Sequence, residues 1–212
     1  FAQLQRISVQ RSSGPGIERS QFSTARTKQT SPLVLPFFDD FSKTHQGMFS
    51  DTSRWEDSFS VWINDGMGIH PPTINVATFD GLDSAGFAYN SNEVLLTGYT
   101  DTLTSKPIDL SEAKVSVAER PSVYLSFFYQ WQGNVEAPDA KDFLELEFKT
   151  AQDSGWISVM TISPDGNEDP TRFYDTINQV SGDEFFHDRF QFRFRSFGRV
   201  SGPYDTWHVD YV

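Results

Sequence analysis

Phe190-Gln191-Phe192-Arg193-Phe194-Arg195, read together with Phe143-Leu144-Glu145-Leu146-Glu147-Phe148-Lys149, decides the fold class. In both stretches large apolar side chains take every second position and polar or charged ones take the positions between. A β-strand turns successive side chains to opposite faces, so this period of two describes a strand with one face in a core. On an α-helix the same alternation would put Phe192 on the side opposite Phe190 instead of gathering the rings on one stripe. The expected inward set is Phe190, Phe192, Phe194, Leu144, Leu146 and Phe148. The expected outward set is Arg189, Gln191, Arg193, Arg195, Glu145 and Glu147.

The segments around these two have the same character. Residues 123 to 131 place Val123, Leu125, Phe127, Tyr129 and Trp131 on one face and Tyr124, Ser126, Phe128 and Gln130 on the other. Both faces are largely aromatic, which suits a strand buried on one side and covered by a loop on the other, or one that offers an aromatic face to a ligand. Residues 156 to 162 follow 143 to 149 across Asp153-Ser154-Gly155, a hairpin signal. The long alternating strand is expected over 185 to 197 and a last strand over 207 to 212. Nearer the start, strands are expected over 34 to 42, over 58 to 64 with an Asn64-Asp65-Gly66 turn after it, and over 73 to 79 before Asp80-Gly81. Residues 50 to 55 read as a turn. Pro107 makes 103 to 110 an edge strand or a strand end, because proline gives no donor to a ladder. These are about nine short strands with turn residues between them, the pattern of an all-β, two-sheet antiparallel jelly-roll sandwich.

Composition agrees with this and narrows the function. The chain has 212 residues, enough for one large sandwich, and carries Phe 20, Tyr 7 and Trp 5, side chains that fit the half-buried surface of a strand. With Cys 0 no disulfide staples the fold. A net charge of −12 argues against a nucleic-acid partner, since phosphate needs a Lys/Arg surface. No window approaches the roughly 20 apolar residues of a membrane-spanning helix. The charge is uneven: the first 32 residues carry +4, leaving −16 for the rest.

That division sets the domain organisation: an extended basic arm over 1 to 33, and a jelly-roll domain over 34 to 212 that is expected to continue beyond Val212. The arm is rich in Ser, Thr, Gln and Gly and lacks periodicity, so it cannot form a core alone and orders by lying on another surface. Another protein chain is the expected surface. Ile7, Val9 and Phe22 are the expected apolar anchors, while Arg6, Arg11 and Arg19 supply steering and hydrogen bonds. Phe1-Ala2-Gln3 would suit the end of a cleaved signal peptide, a pointer to export.

Catalytic chemistry finds little support. Glu145 and Glu147 lie two residues apart on one strand face, roughly 6.5 Å at the backbone, and read as a polar face paired with Arg193 and Arg195 before they read as a glycosidase pair. His45, His70, His187 and His208 have no metal-ligand spacing, and no thiol nucleophile exists. Calcium is the better site hypothesis. Asp40, in the early strand, and Asp210, between Val209 and Tyr211, are the first pair expected to share a hard cation, with Asp39 turned the other way. Asp80 and Asp83 form a second possible cluster, and turn formation is the alternative reading for both.

Four stretches together carry a resemblance: Leu35-Pro36-Phe37-Phe38-Asp39-Asp40-Phe41-Ser42; Trp55 with Trp62-Ile63-Asn64; residues 71 to 83 (PPTINVATFDGLD); and residues 102 to 110 (TLTSKPIDL). Over about residues 34 to 212 the chain resembles the N-terminal domain of large exported cell-surface proteins of Bacteroidota, of the kind linked to type IX secretion or gliding motility. The opening acidic-aromatic stretch and the closing Trp207-His208-Val209-Asp210-Tyr211-Val212 also resemble MAM-like and concanavalin-like jelly rolls. Animal MAM domains carry disulfides that this chain lacks, so only the architecture transfers. The resemblance implies an exported, surface or outer-membrane-associated module with acids near the first and last strands placed for calcium.

The expected function is therefore a non-catalytic binding module that contacts protein or glycan. A structural subunit or cargo held in an outer-membrane assembly by its arm is the alternative, and a glycan-active enzyme the third reading. Deleting residues 1 to 32 separates the roles of the arm. If the arm serves a partner chain, the thermal melt of the remaining domain stays in place while co-purification of the partner is lost; an unfolded domain that still binds assigns the arm to the core instead.

Overall fold

A computed structural model of the chain describes residues 31–43, 49–56, 60–151, 155–164, 166 and 169–212. The arm residues Arg6, Ile7, Val9, Arg11, Arg19 and Phe22 lie outside the described residues, as does Ser58. Nine strands follow in order: β1 (Trp62–Asn64), β2 (Val76–Phe79), β3 (Thr97–Thr104), β4 (Tyr124–Trp131), β5 (Phe143–Lys149), β6 (Trp156–Ile162), β7 (Tyr174–Gln179), β8 (Phe192–Arg199) and β9 (Trp207–Asp210). They form a five-stranded sheet in the order β1-β2-β9-β4-β7 and a four-stranded sheet in the order β3-β8-β5-β6. Every pairing is antiparallel. With β1 set aside, β2 pairs β9, β3 pairs β8, β4 pairs β7 and β5 pairs β6. This nested pairing, wound over two sheets, is the jelly roll.

The alternation that announced the fold also builds the core. Phe192, Phe194, Leu144, Leu146 and Phe148 are all buried, and Phe190 with them. Phe194 of the four-stranded sheet meets Phe127 of the five-stranded sheet edge to face at 4.8 Å and Phe79 at 6.5 Å. Phe192 sits against Phe37 at 5.1 Å and Trp55 at 5.7 Å in the same geometry. Such edge-to-face pairs add to the area they bury.

Several expected strands move. Residues 34 to 42 form no strand, so Asp39 and Asp40 lie in a strap and not inside an early ladder. Pro36 has no N–H to give and Phe41 adopts φ 52, outside the extended region. The strap is fixed near its ends, by Leu33 N to Pro107 O at 2.7 Å and by reciprocal Asp39–Val212 backbone bonds at 2.9 Å. The last long strand starts at Phe192 and not at 185. Phe185 ends a single 3-10 turn, Asp183–Phe185, from which it still packs on Phe148 at 5.5 Å. β2 begins at Val76, leaving Ile74 68% exposed. The strand expected over 103 to 110 is centred earlier, as β3, which is an edge strand. β7, an edge strand of the five-stranded sheet, has no counterpart in the sequence reading.

Phe192 is 1% exposed and ringed by Phe37, Trp55 and Phe194. Replacing it in F192A leaves a cavity between rigid rings and should cost about 3 to 5 kcal/mol of unfolding free energy, measured by denaturant titration. A cost below about 1 kcal/mol would mean that the site collapses freely and the packing above is not limiting.

Candidate functional site

The outer face of the four-stranded sheet gathers the most chemistry. Register places its side chains in rows across the strands. At one end stands an aromatic row, Tyr99 (β3), Phe197 (β8) and Phe143 (β5). Phe143 and Phe197 stack at 5.0 Å with planes 3° apart, and Tyr99 meets both edge-on. Next come Arg195 opposite Glu145, then Arg193 opposite Glu147. Lys149 opposite Trp156 closes the face at the far end. The face is about 20 Å long, from six residues at 3.4 Å each, and about 14 Å wide, from three strand spacings. Tyr99 and Trp156 occupy opposite corners, on the strands at the two edges.

Ion pairs and ring contacts fix these groups. Arg193 Nε donates to Glu147, and Arg195 approaches the same carboxylate at 3.6 Å. Tyr99 Oη donates to Glu145 at 3.1 Å, and burial followed by this carboxylate raises the phenol's pKa. The Arg193 guanidinium lies 4.2 Å from the centre of a Trp156 ring and that of Arg195 3.5 Å from the centre of the Tyr99 ring. Lys149 Nζ donates to Gln191 at 2.6 Å. Tyr99 remains 44% exposed. The pairing of Glu145 and Glu147 with Arg193 and Arg195 follows the sequence reading. Tyr99 and Trp156 were missed as site residues, although Thr97-Gly98-Tyr99-Thr100 carries a β-rich composition that could have extended β3 back to Tyr99.

The expected cation ligands divide. Asp210 is buried, and its carboxylate accepts from Thr73 N at 2.9 Å, Thr73 Oγ1 at 2.9 Å and Tyr211 N at 2.7 Å. Burial pushes its pKa up to about 6 against these bonds, with the Asp40 charge adding a little. Asp40 Oδ1 accepts from Ser42 N and Ser42 Oγ, while Asp39 turns inward to accept Trp55 Nε1 at 2.6 Å. Asp80 caps Leu82 N, and Asp83 caps Ala85 N and Phe87 N, each within its own turn. Among the described residues one trio of acids, Asp139, Asp142 and Asp205, brings carboxylate oxygens within 4.8 Å of one another. Arg199 balances this trio by binding Asp205 through its backbone N–H and its guanidinium. Burial, then the Asp205 charge, pushes Asp142 up to about 6.

A cleft of about 400 Å³ opens elsewhere, beside the strap, with Phe37, Leu110, Val115, Leu125, Val180 and Val212 among its walls. Lys114, Glu119, Ser122 and Ser126 add polar groups to this mainly apolar lining.

No family model matches the chain, and no curated protein matches it. Among solved structures, a carbohydrate-binding module specific for non-crystalline cellulose (CBM28) is similar over 71% of this chain and 78% of its own, at 16% identity and a TM-score of 0.39.

Asp142 gives a pH test. Its folded pKa lies above its unfolded one, so the stability it contributes is complete below about 3.8 and is lost as pH rises through about 6. D142N keeps an acceptor for Asp139 N without the charge. In chelator, the stability of D142N relative to the parent should therefore improve between pH 5 and pH 7.5, by about 1 kcal/mol after discounting for solvent screening. A difference independent of pH would contradict the assignment. The same melts run with calcium against chelator read the cation proposed at Asp40 and Asp210, since a ligand held only by the native state raises Tm.

Proposed function

We propose that the chain is a non-catalytic glycan-binding module whose ligand lies on the outer face of the four-stranded sheet. One observation carries the reading: aromatic side chains at two opposite corners, Tyr99 exposed and Trp156 half-buried, are joined by rows of planar hydrogen-bonding groups held in place by cross-strand contacts. A sugar ring has an apolar face of C–H groups and a rim of hydroxyls. Aromatic rings suit the first, while guanidinium and carboxylate groups suit the second through paired bonds. The pre-formed contacts reduce the ordering cost that binding would otherwise carry.

Binding is favoured over hydrolysis by the state of the two carboxylates. A glycosidase needs one carboxyl group to give a proton and a second to attack or activate water. Glu147 is tied to two arginines and Glu145 to Tyr99, and both are less than a tenth exposed. The resemblance of residues 34 to 212 to exported surface proteins supports a role outside the cell. The basic arm supports an added contact with a protein chain, and the acidic strap and β9 support a calcium ion that steadies the fold.

W156A and Y99A test the face. Each should weaken binding to a glycan chosen from an immobilised polysaccharide panel by about two- to tenfold, in line with about 0.5 to 1.5 kcal/mol per aromatic contact. Melting temperatures should move little, because both side chains lie outside the core. Unchanged affinity in both variants would remove the face as the binding site.

A further inference from the structure

Three arginines line the outer side of β8, and two of them donate to carboxylates. Arg199 binds Asp205 and Glu136, and Arg193 gives Nε to Glu147. Arg195 differs. Its 3.6 Å contact with Glu147 is an ion pair beyond hydrogen-bond length, and among the described residues its guanidinium makes no hydrogen bond. The ring of Tyr99, 3.5 Å from its guanidinium, fixes the group in place, and the side chain is 22% exposed. A guanidinium carries five N–H donors in a rigid fork and accepts none. Here such a fork is anchored on a ring, partly withdrawn from water, and left with donors to give.

The surroundings favour one kind of acceptor. Residues 33 to 212 sum to −16, yet this face sets Arg193, Arg195 and Lys149 against Glu145 and Glu147. It is a cationic area on an acidic domain. A neutral sugar hydroxyl would use one donor of the fork, whereas a carboxylate takes two in-plane donors and supplies the missing charge. The aromatic row Tyr99, Phe197 and Phe143 lies two residues along the strand from Arg195, roughly 7 Å away, within reach of a carboxylate attached to a stacked pyranose ring. We infer that the face selects acidic glycans, with Arg195 as the specificity-determining residue that receives a uronic acid carboxylate. This inference rests on the glycan-binding reading above.

The experiment compares uronate polymers, alginate and polygalacturonate, with the neutral polymers obtained by reducing their carboxyl groups. Dextran sulfate serves as a competitor of similar charge and different geometry. The intact chain should bind at least one uronate polymer at least tenfold more tightly than its reduced form. R195Q should lose that margin, weakening binding of the uronate polymer several-fold more than binding of its reduced form; R195K, which keeps the charge without the fork, should recover only part of it. R195K also covers the case in which R195Q fails to fold. Equal binding of a uronate polymer and its reduced form, abolished by W156A, would overturn the inference and leave the glycan reading standing. Equal competition by dextran sulfate, with the same loss in R195Q, would overturn it in favour of unspecific charge attraction. If neither polymer type binds, the glycan reading falls and the inference with it.

Discussion

The five-stranded sheet depends on the insertion of β9 between β2 and β4. Only four residues long and buried throughout, β9 is hydrogen-bonded on both sides, with Thr78 facing His208 on one flank and Gln130 facing it on the other. β1 is attached only through β2, and β7 only through β4, so without β9 the sheet would divide into two separate pairs. Its fastenings are correspondingly dense. Trp207 is fully buried and packs on Trp131, Asp210 holds Thr73 by both backbone and side chain, and Val212 exchanges backbone bonds with Asp39 of the strap. The strap in turn brings Phe37 and Phe41 onto Trp55.

The two sheets finish their outer faces in different ways. Behind β9 and β4, Gln130 grips the backbone of Ile69 through both its amide oxygen and its amide nitrogen, and Asn64 donates to the Thr78 hydroxyl. That hydroxyl then donates to His208 Nδ1, which leaves Nε2–H for Gln132 O; burial lowers the histidine pKa to about 4, so the ring is neutral there. Gly133 sits at φ +58 where any Cβ would overlap the Met67 carbonyl, so the covering loop can approach this closely only over glycine. A neutral, closed network of this kind is a structural lining. The four-stranded sheet instead carries charged rows, and among the described residues Tyr99 at its corner is left 44% exposed.

Period-two patterning was legible wherever one face of a strand meets the core and the other does not. The inward sets of β5 and β8 follow it closely, and β4 shows the expected division, with Gln130 under the loop and Tyr124 51% exposed; β6, with a register shift and Ile157 and Val159 exposed, does not. The pattern misled where aromatic richness came from packing by irregular chain. Phe37 and Phe41 reach the core from a strap, and Phe185 from a 3-10 turn, so their spacing looked like strand spacing. β7 escaped notice for the opposite reason: as an edge strand with Ile177 67% exposed, it has no apolar stripe to reveal it. For the sheet face, the cross-strand partners of Glu145 and Glu147 were readable from charge. The corner positions of Tyr99 and Trp156 depend on register, including the shift between Leu146 and Glu147, which no local pattern encodes.

Nested pairing also sets the order in which this chain can complete its fold. β5 and β6 are neighbours in sequence and can zip as soon as both exist, whereas Ala77 must wait for Val209. Contacts this far apart make sandwiches slow, because the entropy of closing the loop comes before the reward. On a ribosome adding about 5 to 20 residues per second, the edge of β2 would stay unpaired for on the order of ten seconds. Through that interval a four-residue strand of Val76, Ala77, Thr78 and Phe79 is open to any other edge that passes. The brevity of β2 and the Asp80-Gly81 turn that ends it limit how much a wrong partner could capture, a kinetic safeguard for a strand whose partner comes so much later in the chain.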